Sequence, residues 1–160
     1  MSVAFRRESD DEHLEPKFEL PIPAGPNLVT ARGLALIGQR VAALEGDLTE
    51  ATAQGADEAA IKAIKRDLRY WQTRQITAEL QPVPDCQTVE FGTMVTFRLN
   101  GKQRTLSIVG DDEADPPAGL VSFSAPLSRA LMGGEPGEIL PYGGKDDALE
   151  IISIAIIPAD

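Results

Sequence analysis

Two runs of apolar residues, spaced alternately three and four positions apart, constrain the fold more than any other feature of the sequence. The runs are Leu34, Ile37, Val41, Leu44 and Leu48, then Ile61, Ile64, Leu68 and Trp71. This spacing puts the apolar side chains on one stripe of an α-helix, like the a and d positions of a coiled coil. We therefore predict two long amphipathic helices within residues 30–80.

The two helices are predicted to form an antiparallel hairpin. When Leu48 is paired with Ile61 and Ile37 with Trp71, the two residue numbers of each pair add up to nearly the same value. A constant sum is expected for antiparallel helices, and half of it places the turn near residue 54 or 55. Gly55 suits the left-handed conformation that ends a helix, and Asp57 suits the first position of the next one. Thr30 is the predicted N-cap of the first helix.

Beyond Pro82 and Pro84 the pattern changes to short β-rich runs. We predict strands over residues 88–99, 103–109, 120–124 and 149–157, with Asn100-Gly101 as a tight hairpin turn. A short helix opened by Pro126 is expected over residues 124–131. The fold class is therefore α+β, with a helical hairpin over residues 30–80 and a β domain over residues 81–160.

Charge narrows the classes of function. The 160 residues carry 15 basic and 25 acidic side chains, a net charge of −10, which excludes autonomous DNA binding by a generally basic surface. Residues 30–80 are neutral, whereas residues 81–160 carry twelve acids and five bases. Residues 1–29 are acidic and rich in proline, so we predict a disordered tail there.

Other classes are disfavoured by composition. The longest apolar stretch, near residues 151–157, is much shorter than the roughly 20 residues of a membrane helix. The single cysteine, Cys86, and single histidine, His13, give no internal disulfide, catalytic triad or multi-histidine metal site. We expect a cytoplasmic monomer with no membrane contact and no metal or cofactor of its own.

Four segments, in order, resemble the bacterial Gre transcript-cleavage factors (GreA and GreB). These are the predicted hairpin with Leu68-Arg69-Tyr70, then Val89-Glu90-Phe91-Gly92, then Ile108-Val109-Gly110-Asp111-Asp112-Glu113-Ala114-Asp115, and finally the run from Ser124 to Gly133. The resemblance spans about residues 28–158. It implies an FKBP-like fold for residues 81–160 and docking of this domain at the secondary channel of RNA polymerase. It also implies an accessory factor rather than an enzyme, which meets nucleic acid only through the elongation complex.

The resemblance also implies where carboxylates would act. The Gre motif matches Gly46-Asp47-Leu48-Thr49-Glu50, with Ala51 in place of the usual Asn. Asp47 and Glu50 would then hold a Mg²⁺ ion of the polymerase, because hard oxygen ligands suit that ion. Since the predicted tip lies about eight residues beyond Asp47, the acids Asp57 and Glu58 are the alternative pair, with helix capping as their structural interpretation.

The family likewise implies a polymerase-binding surface on the β domain. Its candidate residues are Asp111, Asp112, Glu113, Asp115, Ser124, Pro126 and Arg129. The structural interpretation of the acids is a solvated turn, and that of Pro126 is the start of a helix.

Three functions stay open on the sequence. The first is an elongation factor that stimulates cleavage of backtracked transcripts. The second is a polymerase-binding regulator without cleavage stimulation, as in the Rnk-type relatives, which would occupy the channel with its short hairpin. The third, suggested by an FKBP-like fold alone, is a peptidyl-prolyl isomerase or chaperone.

Overall fold

A computed structural model describes residues 19–159 of the chain. The helices are α1 (Ala31–Ala53), α2 (Glu58–Thr77) and α3 (Pro126–Leu131), with a short 3₁₀ helix at Pro116–Ala118. The strands are β1 (Leu28–Val29), β2 (Glu79–Leu80), β3 (Thr93–Leu99), β4 (Lys102–Val109), β5 (Leu120–Ser122), β6 (Ile139–Tyr142) and β7 (Lys145–Ile156).

The described chain forms two compact units. The first contains residues 19–25 and 37–77, and the second contains residues 26–36 and 78–159. Helix α1 therefore begins in the second unit and continues into the first. The unit boundaries differ from the predicted division at residues 30 and 80, because residues around both of these positions belong to the β-rich unit.

In the first unit, α1 and α2 run antiparallel, as the apolar spacing predicted. The guanidinium carbon of Arg40 lies 5.5 Å from the ring centre of Trp71, and the side chain of Gln75 approaches Gly38. Ile37, Val41 and Leu68 are the buried members of the predicted stripe. The turn over residues 54–57 confirms the predicted position of the hairpin tip.

The second unit is built on a five-stranded sheet in the order β5-β4-β3-β7-β6. Neighbouring strands are antiparallel except β4 and β5, which are parallel. The sheet is therefore mainly antiparallel, and its one parallel pair arises because residues 110–119 carry the chain back along β4 before β5 begins. The α+β class, the Asn100-Gly101 turn and the short helix opened by Pro126 are confirmed.

The core of this unit lies on one face of the sheet, under α3. Its buried members are Val89, Phe91, Val95, Phe97, Leu106, Ile108, Leu131, Leu149 and Ile151. The predicted strand over residues 88–99 begins later, at Thr93, because the Thr93 hydroxyl donates to the Glu90 carbonyl and closes a turn at Gly92, whose φ is +89°. The predicted last strand begins earlier, at Lys145, directly after the Gly143-Gly144 turn.

The predicted tail divides into two parts. Residues 1–18 lie outside the described residues, so the prediction of disorder stays a prediction there. Residues 28–29, at the end of the predicted tail, form β1, which pairs in parallel with β2. The tail prediction is therefore wrong for these two residues, since their backbone hydrogen bonds are satisfied within the second unit.

Candidate functional site

The tip of the hairpin is a capped turn. The amide of Ala56 donates to the Ala51 carbonyl and that of Gly55 to the Thr52 carbonyl, with Gly55 at φ +70°. This is the Schellman arrangement that ends α-helices. On the other side, Asp57 Oδ1 accepts a hydrogen bond from the Ala60 amide at 2.8 Å, which confirms the capping interpretation of Asp57. Glu58 lies in the first turn of α2, where an acid complements the helix dipole.

Asp47 and Glu50, the acids that the Gre motif matches, lie on the shaft of α1 and not at the tip. Both side chains are exposed, and Glu50 Oε1 accepts a hydrogen bond from Gln54 Nε2 at 3.1 Å. Being three residues apart, they share one face of the helix. At 1.5 Å per residue, Asp47 lies roughly 12 Å along the helix from Gly55.

In the second unit, the structure brings Asp111 together with Ser124 through a residue that the sequence did not single out. Ser122 Oγ donates to Asp111 Oδ1 at 2.6 Å, Ser124 Oγ donates to the same oxygen at 3.3 Å, and the two hydroxyls lie 2.9 Å apart. The result is a small polar cluster with a carboxylate at its centre.

The parallel pairing of β4 with β5 determines where this cluster lies. Val109 is opposite Ser122 in the register, so the carboxyl ends of both strands meet at one edge of the sheet. Phe123 packs edge-on against Phe91, with ring centres 5.6 Å apart. Since side chains alternate along an extended chain, Ser122 and Ser124 lie on the side opposite Phe123. This alternation is the signal in the sequence that could have identified Ser122.

Glu113 differs from the neighbouring acids because its side chain is buried. Its side chain is 3% exposed, accepts a hydrogen bond from Thr30 Oγ1 at 2.6 Å and pairs with Arg32 Nη1 at 2.9 Å. The Thr30 hydroxyl in turn accepts the Gly33 amide, which confirms Thr30 as the N-cap of α1. Glu113 therefore fixes the start of α1 to the loop after β4 and does not lie on the exposed surface.

The other residues of the predicted polymerase-binding surface are close to Asp111 or Ser124 in the sequence. Asp112 is half-buried, and Asp115 is exposed just before the 3₁₀ helix. Pro126 is the first residue of α3, so its structural interpretation as a helix start is confirmed. Arg129 is exposed in the same helix.

An apolar groove of about 450 Å³ in the second unit was not predicted. Its walls include Val83, Phe91, Ile156 and Pro158, and the Arg32–Glu113 ion pair lies at its edge. Val83 is 77% exposed and Ile156 is 54% exposed, which is unusual for large aliphatic side chains. Only the fold brings these distant segments of the chain together.

Within residues 19–159, no group of three or more His, Cys, Asp and Glu side chains is placed to hold a metal ion. In the same part of the chain, no helix combines the length and the apolar character needed to cross a bilayer.

In the first unit, α2 carries four basic residues on one side, here called the basic face: Lys62, Lys65, Arg66 and Arg69. At 100° per residue they lie within about 100° of arc. Arg66 pairs with Asp67 at 2.9 Å. Arg69 is joined by two hydrogen bonds to Glu19, with Nε to Oε1 at 2.7 Å and Nη2 to Oε2 at 3.0 Å.

We expect the Glu19–Arg69 pair to be visible in a titration. The hydrogen bonds from Arg69, and then its positive charge, hold the pKa of Glu19 below its ordinary value of 4.5. Because the folded-state pKa is lowered, the stability that this pair contributes is complete above pH 4.5 and is lost as the pH falls through the folded-state pKa. A carbon-13 NMR titration should show the pKa of Glu19 rising towards 4.5 in Arg69→Gln. An unchanged pKa in that variant would contradict the contact.

Comparison with known proteins identifies the second unit. Residues 84–156 match the family model described as the C-terminal part of the transcription elongation factors GreA and GreB. GreA of Thermomicrobium roseum is 36% identical over 99 residues, which cover 60% of this chain and 64% of the relative. GreA of Thioalkalivibrio sulfidiphilus is 36% identical over 110 residues, which cover 65% and 66%.

These matches leave part of the relatives uncovered: the chain spans just under two thirds of the length of each. A crystal structure of GreA factor homolog 1 of Thermus thermophilus is 17% identical over 81% of this chain and 99% of that chain, with a TM-score of 0.37, a likeness too weak to carry an argument. The domain match is the firm result. Residues 84–156 of this chain therefore form a domain of the GreA/GreB C-terminal type.

Proposed function

We propose that this protein is a transcription elongation factor that binds RNA polymerase at its secondary channel and regulates elongation. The observation that carries the proposal is the match of residues 84–156 to the GreA/GreB C-terminal domain, on a chain whose preceding residues form an antiparallel helical hairpin. The factor is an accessory protein in this proposal, and any hydrolysis is performed by the polymerase.

The polymerase-binding surface in this proposal is the edge of the sheet around Asp111 and Ser124. Asp111 holds the two serine hydroxyls in place, and Asp115 is exposed in the same loop. With twelve acids and five bases over residues 81–160, this domain suits a basic protein surface as its partner. Pro126 and Arg129 extend the surface along α3.

The hairpin supplies carboxylates in the first version of the mechanism. Asp47 and Glu50 are exposed on one face of α1, and two hard oxygen donors fit a Mg²⁺ ion whose remaining ligands come from the polymerase and water. When bound, that ion supplies the activation of water for phosphodiester hydrolysis. The residues of this chain would only present and orient the two carboxylates.

The second candidate is a channel-binding regulator without cleavage stimulation. The observation that favours it is the position of Asp47 and Glu50, roughly two turns of helix before the tip, while Asp57 at the tip is engaged as a cap. A hairpin of this kind would occupy the channel and exclude other factors without reaching the catalytic metal.

The experiment is cleavage of a backtracked transcript by purified RNA polymerase with the full chain added. We expect cleavage stimulation that falls at least about tenfold in Asp47→Asn with Glu50→Gln, because a carboxamide binds Mg²⁺ poorly. The matched control is Glu45→Gln, an exposed acid on the same helix. Asp57→Asn with Glu58→Gln tests the tip, since asparagine keeps the cap while the charge is removed.

Each outcome decides between the candidates. Loss in the Asp47 and Glu50 variant alone supports the first version, whereas loss in the Asp57 and Glu58 variant alone moves the carboxylates to the tip. Binding to the polymerase without stimulation supports the second candidate. A chain that does not bind the polymerase at all contradicts the proposed function.

A further inference from the structure

The basic face of α2 is already contacted by the chain that precedes α1. Glu19 lies on it through the two hydrogen bonds to Arg69, in a geometry that fixes the carboxylate against the guanidinium group. This ion pair fixes the point at which Glu19 contacts the helix.

The two lysines of the basic face have no ion-pair partner within residues 19–159. Lys62 and Lys65 are exposed and form no ion pair with any residue from 19 to 159. They lie on the same side of α2 as Arg69, seven and four residues before it. At 1.5 Å per residue, they are therefore roughly 10 and 6 Å from Arg69 along the helix.

The segment before Glu19 carries the complementary charge. Residues 8–15 contain five acids and no Lys or Arg: Glu8, Asp10, Asp11, Glu12 and Glu15. These acids lie four to eleven residues before Glu19, and an extended chain spans up to about 3.3 Å per residue. A reach of roughly 13 to 36 Å exceeds the distance from Arg69 to either lysine.

We propose that the acidic segment, residues 8–15, docks on the basic face of α2 in the same chain, with its carboxylates on Lys62 and Lys65. Glu19 on Arg69 is the anchor of this contact. Because the anchor tethers the acids within reach, their local concentration at the lysines is on the order of millimolar, and the intramolecular contact prevails over one between molecules. The acidic segment then shields the basic face from other polyanions, including nucleic acid, and the shield weakens as salt rises.

Zero-length carbodiimide crosslinking of the full chain tests this contact, because it joins a carboxylate to a lysine only when the two are in direct contact. Crosslinked peptides are identified by mass spectrometry. Lys102 and Lys145, exposed in the second unit, are the matched controls. At low salt we expect residues 8–15 to crosslink to Lys62 and Lys65 at least about fivefold more than to the controls. About 0.5 M NaCl should remove the excess.

Two further arms make the result decisive. A mixture of nitrogen-15-labelled and unlabelled chains should give crosslinked peptides of one label only, whereas mixed labels would assign the contact to a second copy and overturn the proposal. Arg69→Gln removes the anchor, so the crosslinks to Lys62 and Lys65 should fall. Equal yields at the control lysines, or yields unaffected by Arg69→Gln, would also overturn it. The test is independent of the proposed function, since no polymerase is present.

Discussion

Gly110→Ala is expected to destabilise the second unit by about 3 kcal/mol. A Cβ on Gly110 would meet the backbone carbonyl oxygen of Leu28, which lies directly over it and belongs to β1. Backbone cannot move aside as a flexible side chain can, so either β1 separates from the loop after β4 or the loop distorts. The first change strains the hydrogen bonds from the amides of Glu79 and Gln81 to β1 and its flanking residue Asn27, and the second strains the hydrogen bond from the Glu113 amide to the Gly110 carbonyl.

Amide hydrogen exchange in β3 measures this effect. A loss of about 3 kcal/mol corresponds to a rise of roughly 100-fold in the exchange rates of its most protected amides. The matched control is Gly46→Ala, where a Cβ meets no atom within 4 Å on an exposed helix position. That variant should stabilise α1 by up to about 1 kcal/mol and leave β3 unchanged. Equal exchange in the wild type and Gly110→Ala would contradict the close approach.

Glu113→Ala is expected to cost about 2 kcal/mol of the stability of the second unit. The change removes the hydrogen bond from Thr30 and the ion pair with Arg32, and it leaves a void beside the first turn of α1. Arg32 itself is 43% exposed and remains solvated, so the cost stays below that of stranding a buried charge. Exchange of the Gly33 and Leu34 amides should rise together with that of β3, because Thr30 caps this turn.

Asp115→Ala is the control for Glu113, since it lies in the same acidic loop with an exposed side chain. It should change the stability by no more than about 0.5 kcal/mol. Glu113→Gln keeps an acceptor for Thr30 but loses the charge that faces Arg32, so an intermediate effect is expected. If Glu113→Ala and Asp115→Ala were equally mild, Glu113 would not be the residue that holds the start of α1.

These two variants separate roles that the sequence joined in one motif. Gly110, Asp111, Glu113 and Asp115 belong to one stretch, and the resemblance to Gre factors implied that its acids contact the polymerase. In the structure, Gly110 and Glu113 contact the segment before and within the start of α1, whereas Asp111 holds the serines at the sheet edge. The members of the stretch that contact the segment around the start of α1 are therefore different from the one that lies at the sheet edge.

The hairpin was determined by the sequence itself. The three-and-four spacing gives each helix one apolar side regardless of what surrounds it, and Gly55 with Asp57 supplies a turn and a cap from local chemistry alone. Such signals need only residues within a few positions of each other, so they can be read from the chain. The same holds for the Asn100-Gly101 turn, where both residues have positive φ.

Tertiary structure alone decided which segments come into contact when they are far apart in the sequence. Three features join segments that are far apart in the chain: the parallel pairing of β4 with β5, the apolar groove, and the burial of Glu113 against Thr30, 83 residues away. A carboxylate reads the same in a sequence whether it is solvated, like Asp115, or paired and buried, like Glu113. Its environment is set by which segments fold over it, and that depends on packing of the whole domain and not on local preference.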